Sequence, residues 1–260
     1  MTGRVATTAA NELSGLVLSR TQRGVLWTHN DSGDAARVFA LAADGRVRAE
    51  LAVPGAKNVD WEDIAIGGAG GAGDTLYIGD IGDNLAQRAQ IVVYAVSEPR
   101  LGDRRRSGVT APARRISLRY ADGARDAEAL LVDPRSGALV IVTKSFGGEA
   151  SVYSSRPPAA SGTLRRVGRL SLGIGEAITA GSISADGRTV VLRSYGSAYV
   201  WRRRAREPLP AVLRRAPCIP SAQLSEGQGE ALAVTRDGRA LYTVSEGARS
   251  PIRRYAPRGL

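Results

Sequence analysis

One short pattern recurs five times along the 260 residues, and an internal repeat constrains a fold more tightly than composition does. Each copy has a small or acidic residue, an apolar run, a turn, a second apolar run, and then polar residues. The first runs are Ser14-Gly15-Leu16-Val17, Glu62-Asp63-Ile64-Ala65, Glu128-Ala129-Leu130-Leu131, Gly181-Ser182-Ile183-Ser184 and Glu230-Ala231-Leu232-Ala233. They begin at 14, 62, 128, 181 and 230, at intervals of 48, 66, 53 and 49 residues. A unit of this length cannot bury its own apolar face and must stack on its neighbours.

The turns say what the units are. Asp186-Gly187 and Asp237-Gly238 separate apolar runs, as hairpin turns that need positive φ do. Ser136-Gly137 and Arg23-Gly24 hold equivalent places, and a glycine-rich loop over 67–73 does so in the second unit. The second runs, such as Val25-Leu26-Trp27 and Leu139-Val140-Ile141-Val142, are β-branched and aromatic, as strands prefer. Third strands are expected over 37–41, 91–96, 151–153, 198–201 and 252–255, and fourth strands over 47–53, 115–120, 164–172 and 211–215. The last unit runs out of chain, and Arg4 to Thr8 can supply its outer strand. Strands repeated in fours and closed by the N-terminus make an all-β fold, a single β-propeller domain over 1–260. Five four-stranded blades are expected. Six is the alternative, were the insertion after Val96 to hold a degenerate blade. The stretches 98–112 and 202–220, rich in Pro and Arg, read as exposed loops.

The formal charge of +11 invites a nucleic-acid reading, but Lys57 and Lys144 are the only lysines among 36 basic residues. The arginines fall in scattered short groups (104–106, 165–166, 202–204, 253–254) with no aromatic interleaving for base stacking. They read as a solvated basic exterior with no specific nucleic-acid partner. Cys218 is the only cysteine and His29 the only histidine, which excludes an intrachain disulfide and a Cys/His zinc site. No run reaches the roughly 18 apolar residues of a membrane-spanning helix. The chain is expected to be a monomer, secreted if a signal peptide has been trimmed and cytoplasmic otherwise.

Chain direction turns this fold into a functional argument. First strands start, and second strands end, at the same rim of a propeller's channel. At the starts stand Glu12 and Ser14, Asp60 and Glu62, Asp126 and Glu128, Thr179, then Gln228 and Glu230. At the ends stand His29-Asn30-Asp31, Asp80, Lys144, Arg193 with Tyr195, and Glu246. Residues two apart on a strand face the same way, so Asp60/Glu62 and Asp126/Glu128 can project together. Clustered carboxylates need a compensating cation, a neighbouring Lys144 or Arg193, or a proton.

Oxygen donors without sulfur or imidazole suit a hard cation, Ca²⁺ before Mg²⁺. Glu12, Glu62, Glu128, Glu230 and Asp80 are therefore the candidate metal ligands. His29 beside Asp31 is the candidate acid–base group, being the one side chain that titrates near neutrality unperturbed. Lys144 and Arg193 are the candidate cations for an anionic substrate, and Tyr195, Asn30 and Glu246 the candidate substrate contacts. A small-molecule or anionic ligand at the channel mouth is the expected partner. No nucleophile-elbow motif marks Ser14, Ser145 or Ser182. Paired carboxylates also serve glycoside hydrolysis, so that reading stays open beside a metal-dependent hydrolase and a non-catalytic ligand- or protein-binding propeller.

The Glu-Ala-Leu and Glu-Asp-Ile-Ala strand starts, with Asn30-Asp31-Ser32-Gly33-Asp34 and Gly79-Asp80-Ile81-Gly82-Asp83-Asn84, resemble a bacterial propeller group. The chain is similar to the phytase-like, SMP-30/gluconolactonase and NHL-type propellers. That resemblance implies a divalent cation at the channel mouth and hydrolysis of phosphate esters, lactones or esters, with Glu62, Glu128 and Glu230 at the positions of acidic ligands. Two departures stand against it. The repeat favours five blades where those enzymes usually have six, and the lysine-rich wall of a phytase is absent.

Overall fold

The computed structural model describes residues 1–68, 74–102, 106–224 and 226–256. After a two-residue strand β1 (Gly3–Arg4), the first antiparallel meander is β2 (Leu13–Leu18), β3 (Val25–Asn30), β4 (Arg37–Ala42) and β5 (Val47–Ala52). The second is β6 (Trp61–Gly67), β7 (Thr75–Asp80) and β8 (Ile91–Ser97); after β9 (Arg106–Val109) it is completed by β10 (Arg114–Tyr120). The third is β11 (Ala127–Val132), β12 (Leu139–Thr143), β13 (Glu149–Ser154) and β14 (Gly162–Ser171). The fourth is β15 (Ile178–Ile183), β16 (Thr189–Ser194) and β17 (Ser197–Arg202), then the helix α1 (Leu209–Leu213) and β18 (Ile219–Gln223). The fifth is β19 (Gly229–Val234), β20 (Leu241–Ser245) and β21 (Pro251–Tyr255).

The first strands β2, β6, β11, β15 and β19 touch one another in order, and β19 touches β2, so they line a closed channel. This is a β-propeller. Its ring is closed by β1, which pairs antiparallel with β21 and so serves the fifth meander as outer strand; the N-terminal segment closes the ring as expected, but through Gly3–Arg4 and not through Arg4 to Thr8.

Alternation along each strand places apolar side chains in the gaps between neighbouring meanders. Among the described residues five such clusters fill the gaps around the ring. Trp27 and Trp61 meet between the first and second, and Trp201 packs with α1 between the third and fourth. Each indole is fully buried and donates its N–H, to Glu98, to the Lys57 carbonyl and to the Arg215 carbonyl. Burying a side chain of this class contributes about 1.5–3 kcal/mol. The expected turns form: Gly24, Gly137, Gly187 and Gly238 all adopt φ between +69° and +73°. Of the glycine-rich loop, 69–73 lie outside the described residues, as do 104 and 105 of the arginine groups.

Two segments depart from expectation. Residues 211–215, expected as a fourth strand, mostly belong to α1, and the strand is Ile219–Gln223. Pro208 caps the helix start in extended conformation, Pro210 pre-sets helical φ in the first turn, and Leu209, Val212 and Leu213, spaced three and four apart, bury one face. The insertion 98–112, expected as loop, holds β9, which pairs parallel with β5 at the outer edge of the first meander.

Candidate functional site

A β-bulge interrupts every first strand at the same point. The register shifts fall between Ser14 and Leu16, Trp61 and Asp63, Ala127 and Ala129, Ile178 and Ala180, and Gly229 and Ala231. The extra residues are therefore Gly15, Glu62, Glu128, Thr179 and Glu230. A bulge twists its strand and re-aims the extra side chain, which here sends three glutamates to the channel mouth. The first meander has no acid to offer there. Gly15 sits at φ +70°, and a Cβ on it would lie 2.7 Å from the Ile64 amide nitrogen. Thr179 instead donates its hydroxyl to the Gly229 carbonyl at 2.9 Å.

The three glutamates are buried, with exposures of 4% for Glu62, 3% for Glu128 and 6% for Glu230. Burial raises Glu62 well above the usual carboxylate range, and the negative charges of Glu128, Asp31 and Asp60 add to it. Glu128 is pushed up to about 7 by burial in spite of Lys144, whose ammonium holds its Oε1. Among the described residues its Oε2 has no hydrogen-bond partner. Glu230 is pushed up to about 9, first by burial and then by sharing a proton with Glu246. Asp60 rises to about 6 for the same first reason. Burial would lower Lys144, but the charge and hydrogen bond of Glu128 outweigh it and hold the amine protonated.

Two sets of carboxylates converge, Asp31 with Asp60 and Glu62, and Asp31 with Glu230 and Glu246. In each set, one oxygen from each residue lies within 4.8 Å of the others. Asp31 and Glu246, expected as a catalytic and a substrate-binding residue, thus stand in the acidic cluster itself.

Strand parity also decides which expected residues stay away. Counting from the extra residue, Glu12 lies three positions before Gly15, whereas Asp60 and Asp126 lie two before Glu62 and Glu128. Glu12 is accordingly exposed and belongs to neither set. His29 pairs with Ser14, in the same row as Asp80, Thr143, Ser194 and Ser245. The next row holds Lys144, Tyr195 and Glu246, and one step along a strand reverses a side chain. His29 is fully buried edge-on to Trp61, centroids 5.4 Å apart, and burial drops its pKa to about 4. Its Nδ1 meets the Asn30 carbonyl at 2.9 Å, and the Asp63 backbone also faces the ring.

Asp80 is held by Arg88 at 2.8 Å. Asn30 donates to the Ala9 carbonyl and to Asp34, both at 2.7 Å, tying down the N-terminal segment. Arg193 is fully buried against Glu226 at 3.0 Å, and it also donates to the carbonyls of Ser194, Tyr195 and Ala231. Its guanidinium is committed to the protein.

Two residues escaped sequence reasoning. Asp63, in the middle of β6, is fully buried and accepts the backbone N–H groups of Ile64 and Leu130 at 2.8 Å and Gly181 at 3.0 Å. One carboxylate thereby ties three first strands together just below the mouth. Its signal was an acid inside an otherwise apolar run. Phe146, 60% exposed, stacks on Tyr195 with ring planes 14° apart, and the Lys144 ammonium lies 5.9 Å and 5.6 Å from the two ring centres.

A gluconolactonase from Xanthomonas campestris matches with a TM-score of 0.52 at 12% identity, covering 95% of this chain and 87% of that one. This chain shares its fold. The Cps50 (Swd1) β-propeller domain of Myceliophteria thermophila matches at a TM-score of 0.48 and 12% identity, over 100% of this chain and 68% of the other. No protein-family model matches the sequence, and no curated protein matches it either. Among the described residues no helix is long and apolar enough to cross a membrane.

Proposed function

We propose that the channel mouth holds a divalent cation, Ca²⁺ in the first instance, and that the chain is a cation-dependent hydrolase of lactones, esters or phosphate esters. One observation carries the reading. The Glu62 carboxylate is buried among like charges, and among the described residues it accepts no hydrogen bond. Burying ionised carboxylates together is costly unless a cation offsets them. The donors are all oxygen, which fits a hard cation with loose geometry. The fold shared with a gluconolactonase is consistent with lactone chemistry.

When bound, the cation supplies Lewis-acid polarisation of a carbonyl or phosphoryl oxygen. Glu128 stands outside both carboxylate sets, and at about 7 its free Oε2 is suited to take a proton from water near neutral pH. Lys144 lies beside it as hydrogen-bond donor to a developing oxyanion. Phe146 and Tyr195 offer the apolar wall against which the rest of a substrate lies. The test is turnover on a panel of lactones, aryl esters and phosphate esters by chelator-stripped protein, before and after Ca²⁺ is returned. Turnover is expected only with the cation, and Glu128→Gln should lower kcat by about 10²–10⁴. Turnover indifferent to chelation would overturn the reading. Ca²⁺ binding without turnover would favour a ligand-binding propeller, a second reading supported by the commitment of His29 and Arg193 to the protein.

A further inference from the structure

The acidic cluster is not one nest of oxygens. Its carboxylates sort into Asp31–Asp60–Glu62 on the side of the first and second meanders and Asp31–Glu230–Glu246 on the side of the fifth. Asp31 is the member common to both. Ca²⁺ binds oxygens at about 2.3–2.6 Å, so two oxygens on one ion stand at most about 5 Å apart. Each set meets that limit by itself, with its ligand oxygens within 4.8 Å of one another. Charge points the same way. Once cation binding has displaced their protons, five carboxylates against one divalent cation leave three negative charges over, and against two cations they leave one. Lys144 cannot absorb the difference, because Glu128 already holds it.

A second, independent observation marks each side as a ligand position. Glu62 is 4% exposed and accepts no hydrogen bond among the described residues, although it sits within reach of Asp31 and Asp60. Across the mouth, Glu230 is 6% exposed and has another carboxylate, Glu246, as its hydrogen-bond neighbour. The loop that carries Asp31 is held in place: its amide donates to the Glu12 carbonyl at 2.7 Å, and its own carbonyl accepts from Asn58 at 2.6 Å. The Asp31 carboxylate, whose Oδ1 also accepts the Ser32 amide at 2.5 Å, is thus presented from a fixed backbone to both ligand sets.

We propose that the mouth binds two divalent cations, with Asp31 as the ligand shared between them. Asp60 and Glu62 complete one site, and Glu230 and Glu246 the other. Two cations held by one shared carboxylate would supply paired Lewis acids for a single displacement, as two-metal sites do. This rests on the cation reading above and goes beyond it in number and arrangement.

Calorimetric titration of Ca²⁺ into the chelator-stripped full chain decides it. Wild type should take up two equivalents. Glu62→Gln and Glu230→Gln should each leave one, and Asp31→Asn should weaken both at least tenfold, with strand content checked by circular dichroism. One equivalent in wild type overturns the shared site while leaving the cation reading standing, and so does an Asp31→Asn variant that loses only one. No binding at all overturns both. Should Asp31→Asn fail to fold, the wild-type stoichiometry and the two glutamine variants still decide.

Discussion

Strand β11 carries Glu128 at one end and runs into Asp133 at the other, and the two carboxylates are equally buried, at 3% and 4% exposure. At the far end Arg203 grips Asp133 through two hydrogen bonds of 2.6 and 3.1 Å, and Ser136 and the Arg135 amide complete its shell. Burial pushes Asp133 up, but these partners outweigh it and hold its pKa below the ordinary value. At the mouth Glu128 has one partner, keeps a bare oxygen, and titrates near 7. The same strand therefore shows what a finished ion pair looks like in this protein. A fold that satisfies Asp133 so fully leaves Glu128, on the same strand, with a single ion-pair partner among the described residues.

The largest effect that tests this contrast is at the finished end. Arg203→Ala strands a buried carboxylate and should cost about 3–5 kcal/mol in denaturant unfolding, with no change in Ca²⁺ uptake. A loss below about 1 kcal/mol would mean that Asp133 is not held as the geometry implies. Next comes the cation itself. At a free concentration about 1,000-fold above Kd, Ca²⁺ should add about 4 kcal/mol, roughly 10 °C in Tm for a chain of this size, and chelator should remove it. A melting curve indifferent to both would erase the contrast.

Acidity comes third. Glu230 has a folded pKa near 9 against an unbound 4.5, and Glu128 near 7, so the folded state prefers their protonated forms. Their stabilisation is present below about 4.5 and is lost as pH rises through 7 and 9. Asp133, lowered, acts in the opposite sense and contributes only above its unfolded value, losing that contribution as pH falls. In chelator, Tm should thus fall between pH 5 and 9, and Ca²⁺ should flatten the fall. A Tm that climbs over this range without cation would refute the assignment. The smallest effect is Glu62→Gln, which removes one repelling charge. It should raise metal-free stability by about 1 kcal/mol while shrinking the Ca²⁺ response, a trade that Asp133→Asn would not show.

Much of this was legible in the repeat. The strand pattern, the positive-φ turns and the closure by the N-terminus follow from apolar alternation and glycine placement, and Glu62, Glu128 and Glu230 stood out as acids opening repeated runs. What misled was parity. A bulge inserts one residue into a period of two, so every position before it changes side relative to a regular strand. That single shift carries Glu12 out to solvent, whereas His29, two residues from Trp27 on the unbulged β3, faces the gap beside Trp61 by plain alternation. Arg193 stood at the right rim, yet its partner Glu226 comes from the segment between β18 and β19, a contact no local pattern announces. Asp63 was hidden for a related reason, since its three amide donors come from strands up to 118 residues away. Residues 211–215 failed because two prolines and a three-to-four spacing favour a helix over the strand that the blade count demanded.

The outer edges of the ring are sewn unevenly. Strands β10 and β14 pair in parallel through three residue pairs, so the second and third meanders form one eight-stranded sheet, whereas β1, a two-residue strand near the start of the chain, holds β21 through two. Native-state opening follows such differences, because a short seam frays long before a wide sheet parts. In hydrogen exchange the β1–β21 amides should accordingly trade first, and the two fused meanders should trade last and together. The Asp60–Glu62 half of the mouth stands on that slow-breathing block, and the Glu230–Glu246 half stands beside the seam.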